Sequence, residues 1–239
     1  MSLLLQLLRF IPLMTIKSFR NTIYRLDLNI LGSASERDWQ ETRLVIVLNH
    51  TSLAEFLYGM ALPTKFLWRL AGNLSFPVAE ETLQKPLFRY VFKALAPNVV
   101  SLTRRRDNTW KQFKDGIDED SMVIILPEGR MMRKNGLDKH GNPMSVKKGI
   151  AEIIPQFKGG KILIAYGGGL SHVLAPGSFV PRIFKKILLN MEFVDVDSYM
   201  EQLSKKSEMS FADALKEDLE QRLYRHKPSP TRISNEAKS

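Results

Sequence analysis

In "VIVLNHTSLAEFLYG", residues 45–59, an apolar run ends at Asn49-His50 and a carboxylate follows at Glu55. A carboxylate facing one imidazole nitrogen fixes the tautomer and stabilises imidazolium, which leaves the other nitrogen free as a general base. On a continuous helix a five-residue spacing would set the two side chains about 140° apart. With His50 in a turn before a helix and Glu55 in its first turn, they can meet. Ser52-Leu53-Ala54-Glu55 also fits a capping box, in which the glutamate only reaches back to the Ser52 N–H. His50 is then simply a polar residue at the end of a strand.

Two more stretches have the same form. "VIILPEGRMMRKNG" ends an apolar run on Pro127-Glu128-Gly129-Arg130, with Arg133 and Lys134 close behind. Glycine permits close backbone approach, and arginine binds phosphate through paired N–H donors. "SLTRRRDN" places Arg104, Arg105 and Arg106 directly after a third such run. Taken singly, the first is a strand-to-loop turn with solvated charges and the second a solvated basic face.

The elements that must carry these turns follow from the hydrophobic pattern. Short apolar, β-branched runs at Leu44–Leu48, Val99–Leu102, Met122–Leu126, Lys161–Tyr166 and Met191–Val196 are expected as strands covered on both faces. Helices are expected at Ser52–Ala61, Thr82–Ala94, Thr109–Asp115 and Val146–Phe157. A further helix, capped by Ser210, carries Phe211, Ala214, Leu215, Leu219 and Leu223 as one stripe. Strands alternating with helices predict a single α/β domain with a mainly parallel central sheet flanked by helices. In such sheets ligands bind at the carboxyl ends of the strands, where all three polar turns would lie.

The chain has 239 residues and no cysteine, which excludes a disulfide scaffold, thiol catalysis and thiolate metal sites. Its 35 Lys and Arg against 25 Asp and Glu give +10, a balance that favours an anionic partner. No nucleic-acid-binding motif accompanies that charge. The first residues, "MSLLLQLLRFIPLMTIKSFR", are too short and too interrupted for a membrane span and lack the pattern of a signal peptide. On a helix, Ser2, Gln6, Arg9, Lys17 and Arg20 form one narrow polar strip and apolar residues fill most of the remainder. Residues 1–30 are therefore expected as an amphipathic, membrane-associating segment; the other reading is a first helix packed over the core. Residues 227–239 read as a disordered tail. Gly169-Leu170-Ser171-His172 weakly suggests a serine hydrolase, but Val173 breaks the Gly-x-Ser-x-Gly elbow.

"NHTSLAE", "VVSLTRRRD", "LPEGRMMR", "SVKKGIAEI" and "ILIAYGGGLSHVLAPG" occur in that order between Leu44 and Gly177. The ordered set resembles the glycerolipid (lysophospholipid) acyltransferase family, including its 1-acylglycerol-3-phosphate acyltransferases. That family carries Asn-His-x-x-x-x-Asp after a strand and Phe-Pro-Glu-Gly-Thr-Arg after another. This chain departs from the pattern at Glu55, which stands in place of aspartate, and at Arg130, which follows Gly129 without an intervening threonine.

The resemblance implies an acyltransferase domain over residues 31–226. It would move a fatty acyl group from acyl-CoA or acyl-carrier protein, as co-substrate, to a lysophospholipid hydroxyl. His50 would be the general base oriented by Glu55. Arg104, Arg105, Arg106, Glu128, Gly129, Arg130 and Arg133 would serve the acceptor site. No metal or other cofactor and no nucleic acid are implied. The expected setting is the phospholipid surface, as a peripheral protein on the cytoplasmic face. Because of Glu55, the alternative is a catalytically weak or inactive lipid-binding relative.

Overall fold

The computed structural model describes residues 2–103, 108–205 and 209–228. The chain starts with α1 (Leu3–Ser18), capped by the Ser2 hydroxyl, and turns into β1 (Arg25–Ile30). Then come α2 (Glu36–Glu41), β2 (Thr42–Leu48) and a 3-10 helix at Glu55–Ala61. Next are α3 (Thr64–Asn73), β3 (Leu74–Ala79), α4 (Glu80–Leu83), α5 (Pro86–Leu95), β4 (Asn98–Leu102) and α6 (Thr109–Asp115). β5 (Met122–Ile125) is followed by two 3-10 turns, Lys148–Glu152 and Ile154–Gln156. The chain then runs through β6 (Lys161–Gly167), β7 (Lys186–Asp195), α7 (Val196–Ser204) and α8 (Phe211–His226).

The strands form one seven-stranded sheet in the order β1-β7-β6-β2-β5-β3-β4, and every pairing except β6 with β7 is parallel. β2 sits in the middle, with Ile46 opposite Ile125 of β5 on one side and Ile164 of β6 on the other. Its residues 44–48 are all buried, so the strand reads as an unbroken apolar run. Alternate side chains serve opposite layers. Val45 and Val47 pack in a cluster with residues of α1, α3 and α5, whereas Leu44, Ile46 and Leu48 pack with residues of α7 and α8.

All five expected strands are present, β7 with an earlier start. Two more escape the hydrophobic pattern for physical reasons. β1 lies at the sheet edge with Asp27 and Asn29 in it. β3 contains Pro77, which is tolerated because β5 pairs only with Leu74 and Ser75, so the proline lies beyond that pairing. The helix expected at Thr82–Ala94 breaks into α4 and α5 at Lys85, where the residue before Pro86 takes an extended conformation. The helices expected at Ser52–Ala61 and Val146–Phe157 are 3-10 turns over part of their lengths. Arg104–Arg106 and residues 229–239 of the expected tail lie outside the described residues.

α1 has two faces. Leu13 and Ile16 are buried, the Phe10 ring meets Trp68 edge-on at 5.1 Å, and Gln6 Nε2 donates to the Trp68 carbonyl at 3.0 Å. Lys17 Nζ donates to the Leu62 carbonyl. Leu3, Leu4, Leu7, Leu8 and Ile11 are exposed. β1, within the 1–30 segment, pairs with β7. No helix among the described residues is long and apolar enough to cross a membrane.

This division predicts opposite mutational costs along one helix. Leu13→Ala or Ile16→Ala is expected to cost about 2–4 kcal/mol in chemical denaturation, as buried aliphatic truncations do. Leu4→Ala or Leu8→Ala is expected to change stability by no more than about 0.5 kcal/mol. Equal costs at the two pairs would contradict this packing.

Candidate active site

The site begins one residue past β2. Asn49 has φ 71, a left-handed conformation that asparagine tolerates better than most side chains. Its backbone N–H donates to Glu128 Oε1 at 2.7 Å, and its side-chain amide donates to the Gly167 carbonyl at 2.7 Å. One residue thus ties the end of β2 to the turn after β5 and to the end of β6. His50 follows, and its carbonyl accepts from the Met132 N–H at 2.7 Å.

His50 Nδ1 and Glu55 Oε2 form a hydrogen bond. The other carboxylate oxygen, Glu55 Oε1, accepts from the backbone N–H groups of Thr51 at 2.7 Å and Ser52 at 3.2 Å. Glu55 therefore caps the turn and holds the imidazole at once. Ser52 departs from the expected capping box: its hydroxyl accepts from the Ala54 N–H and donates to the Leu174 carbonyl. With Nδ1 bonded to Glu55, the Nε2 position is the one left for chemistry.

Burial alone would lower the His50 pKa, but the charge and hydrogen bond of Glu55, with the more distant charge of Glu128, hold it above its ordinary value. The Glu128 carboxyl is also pushed up: burial raises its pKa, although the Asn49 N–H and His50 partly offset this. Glu128 is buried, and its Oε2 has no hydrogen-bond partner among the described residues. It braces Asn49 from below.

Two cavities meet at His50. One is an open cleft of about 740 Å³ whose lining includes Lys85, Gly129, Arg130, Arg133, Lys134 and Lys139, the last paired with Glu81, which also lines it. The other, about 610 Å³, is walled by such residues as Val45, Leu53, Phe56, Leu67, Leu70 and Phe92 beside α1, α3 and α5, and extends to Trp110 of α6 and Ile150. His50 and Gly129 line both. Gly129 sits at φ +61, a backbone conformation that a residue with a Cβ rarely adopts.

Of the residues singled out in the sequence, the structure brings His50 and Glu55 into contact and puts Gly129, Arg130 and Arg133 on the cleft wall. Glu128 lies behind that wall. His172 Nε2 meets the Lys186 carbonyl at 2.7 Å and is exposed, which gives it a structural partner.

Asp138 escaped the sequence reading. Its side chain is almost wholly buried and bonds Arg130 Nη1, while the backbone N–H groups of His140 and Asn142 donate to its other oxygen at 2.7 and 2.9 Å. Burial would raise its pKa, but those backbone donors and Arg130 hold it well below the usual carboxylate range. A close signal exists in "GLDKHGN", since Asp in a glycine-rich turn commonly accepts from backbone N–H groups two residues on. Its ion pair with Arg130, formed across the loop, has no such signature.

The family model for acyltransferases matches residues 30–166. Among solved structures, the chain resembles the 1-acyl-sn-glycerophosphate (LPA) acyltransferase of Thermotoga maritima, with a TM-score of 0.51 and 21% identity. The match covers 91% of this chain and 79% of that one. At this identity the likeness is one of fold. No curated protein sequence matches the chain.

The electrostatics make one sign-specific prediction. By NMR, the His50 imidazole is expected to titrate above its ordinary value of about 6.5. In Glu55→Gln the remaining influence of burial should move it downward. Because the folded state holds the proton more tightly, the contribution of His50 to stability is complete below the unfolded value and lost as pH rises through the folded one. An unchanged titration in the variant would show that Glu55 acts only as a cap.

Proposed function

Since the chain belongs to the acyltransferase family and is an acyltransferase, we propose that it moves a fatty acyl group from the thioester of acyl-CoA or acyl-carrier protein to the free hydroxyl of a lysophospholipid. The observation that carries this reading is the position of His50 at the junction of a cationic cleft and an apolar cavity. A lysophospholipid acyl transfer brings together those two chemistries, a phosphate-bearing head and a hydrocarbon chain.

In this reading His50 Nε2 takes the acceptor hydroxyl proton as that oxygen attacks the thioester carbonyl. The tetrahedral intermediate collapses, the C–S bond breaks, and imidazolium returns the proton to the leaving thiolate. Glu55 stabilises the imidazolium through the Nδ1 hydrogen bond. Positioned acid–base catalysis of this kind contributes about 10²- to 10⁴-fold. Arg130 and Arg133 take the acceptor phosphate, with Arg130 oriented by Asp138, and the apolar cavity takes the acyl chain. The contact between Glu55 and His50 supports an active enzyme over a catalytically inactive lipid-binding relative. The longer glutamate side chain reaches the imidazole while also capping the turn.

An insoluble acceptor calls for a protein at the bilayer surface, here its cytoplasmic face. The exposed leucines of α1 suit apolar insertion, and nearby Lys and Arg residues each add attraction of about 1 kcal/mol to an anionic surface.

Incubation of the purified protein with labelled acyl-CoA and a lipid extract tests the central reading. His50→Ala should lose at least about 10²-fold in acyl transfer while keeping its fold and its lysolipid binding. Turnover near that of the parent protein would remove His50 as the base. For the cleft, Asp138→Asn should raise the acceptor KM by about tenfold with little change in kcat, because a misaligned guanidinium loses paired contacts to phosphate. Acceptors lacking a phosphate should be insensitive to that change. A uniform loss on both kinds of acceptor would make Asp138 a purely structural residue.

A further inference from the structure

Between β6 and β7 the chain crosses the surface as "GSFVPRIFKK", residues 177–186. Phe179, Val180, Ile183 and Phe184 are 60%, 77%, 52% and 73% exposed. Single exposed apolar residues are ordinary, but four large ones within six positions form a patch that calls for an occupant. The backbone beneath is pinned. The Arg182 N–H donates to the Val173 carbonyl at 2.7 Å, the Phe184 N–H to the Ile23 carbonyl at 2.9 Å, and the Arg25 N–H to the Lys185 carbonyl at 3.2 Å. Phe184 has φ 59, an uncommon conformation for an aromatic residue. The apolar side chains are thus held outward on a fixed frame.

The charges around the patch indicate what covers it. No acidic residue occurs from Ala175 to Met191, whereas Arg182, Lys185 and Lys186 fall within or beside the apolar set. Lys186 pairs with Asp27 at 2.8 Å. Aromatic and aliphatic side chains interleaved with cations match the boundary between anionic headgroups and acyl chains. Both ends of the loop lead to parts already described. Ala175, Pro176 and Gly177 line the cleft that holds His50, and the far end is bonded to the turn that follows α1.

We infer that the Phe179–Phe184 loop is a second bilayer-inserting element, which acts with the outer face of α1 to hold the mouth of the His50 cleft against an anionic lipid surface. This inference rests on the reading of the protein as an enzyme of membrane-borne acceptors. A lysophospholipid could then reach His50 by a short lateral path, with its phosphate passing along the cationic wall.

Because the chain contains no cysteine, single cysteines can carry an environment-sensitive dye without background labelling. Val180→Cys tests the loop and Leu8→Cys tests α1. Tyr224→Cys, on an exposed position of α8 across the sheet, is the control. On vesicles of phosphatidylglycerol and phosphatidylcholine, dye at 180 should shift to the blue and be quenched by nitroxide-labelled lipid, while dye at 224 should not. The triple variant Phe179→Ser, Val180→Ser, Ile183→Ser should lose about tenfold or more in vesicle affinity and keep its activity on a soluble short-chain acceptor.

If position 8 enters lipid and position 180 stays in water, the loop inference is overturned while the role of α1 stands. If neither enters lipid, the membrane reading fails with it. Dye at 180 that becomes buried without lipid as protein concentration rises would show a second copy on the patch, and would also overturn the inference.

Discussion

A single left-handed residue, Asn49, ties the site together. Its position after β2 forces the chain to turn sharply at the top of the sheet, and its two hydrogen bonds join β2 to the Glu128 turn and to β6. His50 inherits its place from that turn, and the loop that carries Met132 and Arg133 is bonded to the His50 carbonyl. A buried carboxylate such as Glu128 is costly to maintain unless it accepts hydrogen bonds. The same bond that relieves Glu128 holds the turn that carries His50 in position.

The far face of the sheet stiffens this arrangement. Tyr166 of β6 lies opposite Leu48 in register, one residue before Asn49. Its hydroxyl bonds Glu192 of β7, which also receives Arg222 Nη1 of α8 at 2.7 Å. Arg222 Nε reaches Asp218 at 2.6 Å, and Asp218 accepts from the Tyr199 hydroxyl of α7 at 2.6 Å. Burial, with the charge of Glu192, keeps the Tyr166 phenol protonated far beyond its ordinary range. A connected network of this kind resists local slippage better than separate pairs, because each member orients the next. Strands β6 and β7 are locked to the helices behind them, while the connection that leaves the carboxyl end of β6 lines the cleft at Ala175, Pro176 and Gly177.

The carboxylates around the site have separate tasks. Glu55 contacts the imidazole, Glu128 supports the turn below it, and Asp138 holds Arg130 from inside the loop. Only the first faces the expected proton transfer directly. Glu128 and Asp138 are buried behind the cleft wall, and Glu81, which lines the cleft, pairs with Lys139 at 2.7 Å, so Lys85, Arg133 and Lys134 keep the cleft cationic.

Much of this was legible from residue order. The unbroken apolar runs at β2, β5 and β6 announced strands covered on both faces, and the polar turns at their carboxyl ends marked His50, Glu55, Gly129, Arg130 and Arg133. Edge strand β1 and Pro-containing β3 were not legible, because their stability comes from neighbours distant in sequence and not from a local pattern. Glu55 illustrates the boundary well. Its spacing from Ser52 allowed a cap and its spacing from His50 allowed an orienting acid, and local sequence could not choose between them. The folded turn presents one carboxylate oxygen to the backbone and the other to the imidazole, so both contacts form. The pairing of Asp138 with Arg130 and the support of Asn49 by Glu128, 79 residues away, likewise depended on tertiary structure. Hydrogen bonds reach only about 3 Å, and it is the packing of the sheet that brings such distant residues within that range.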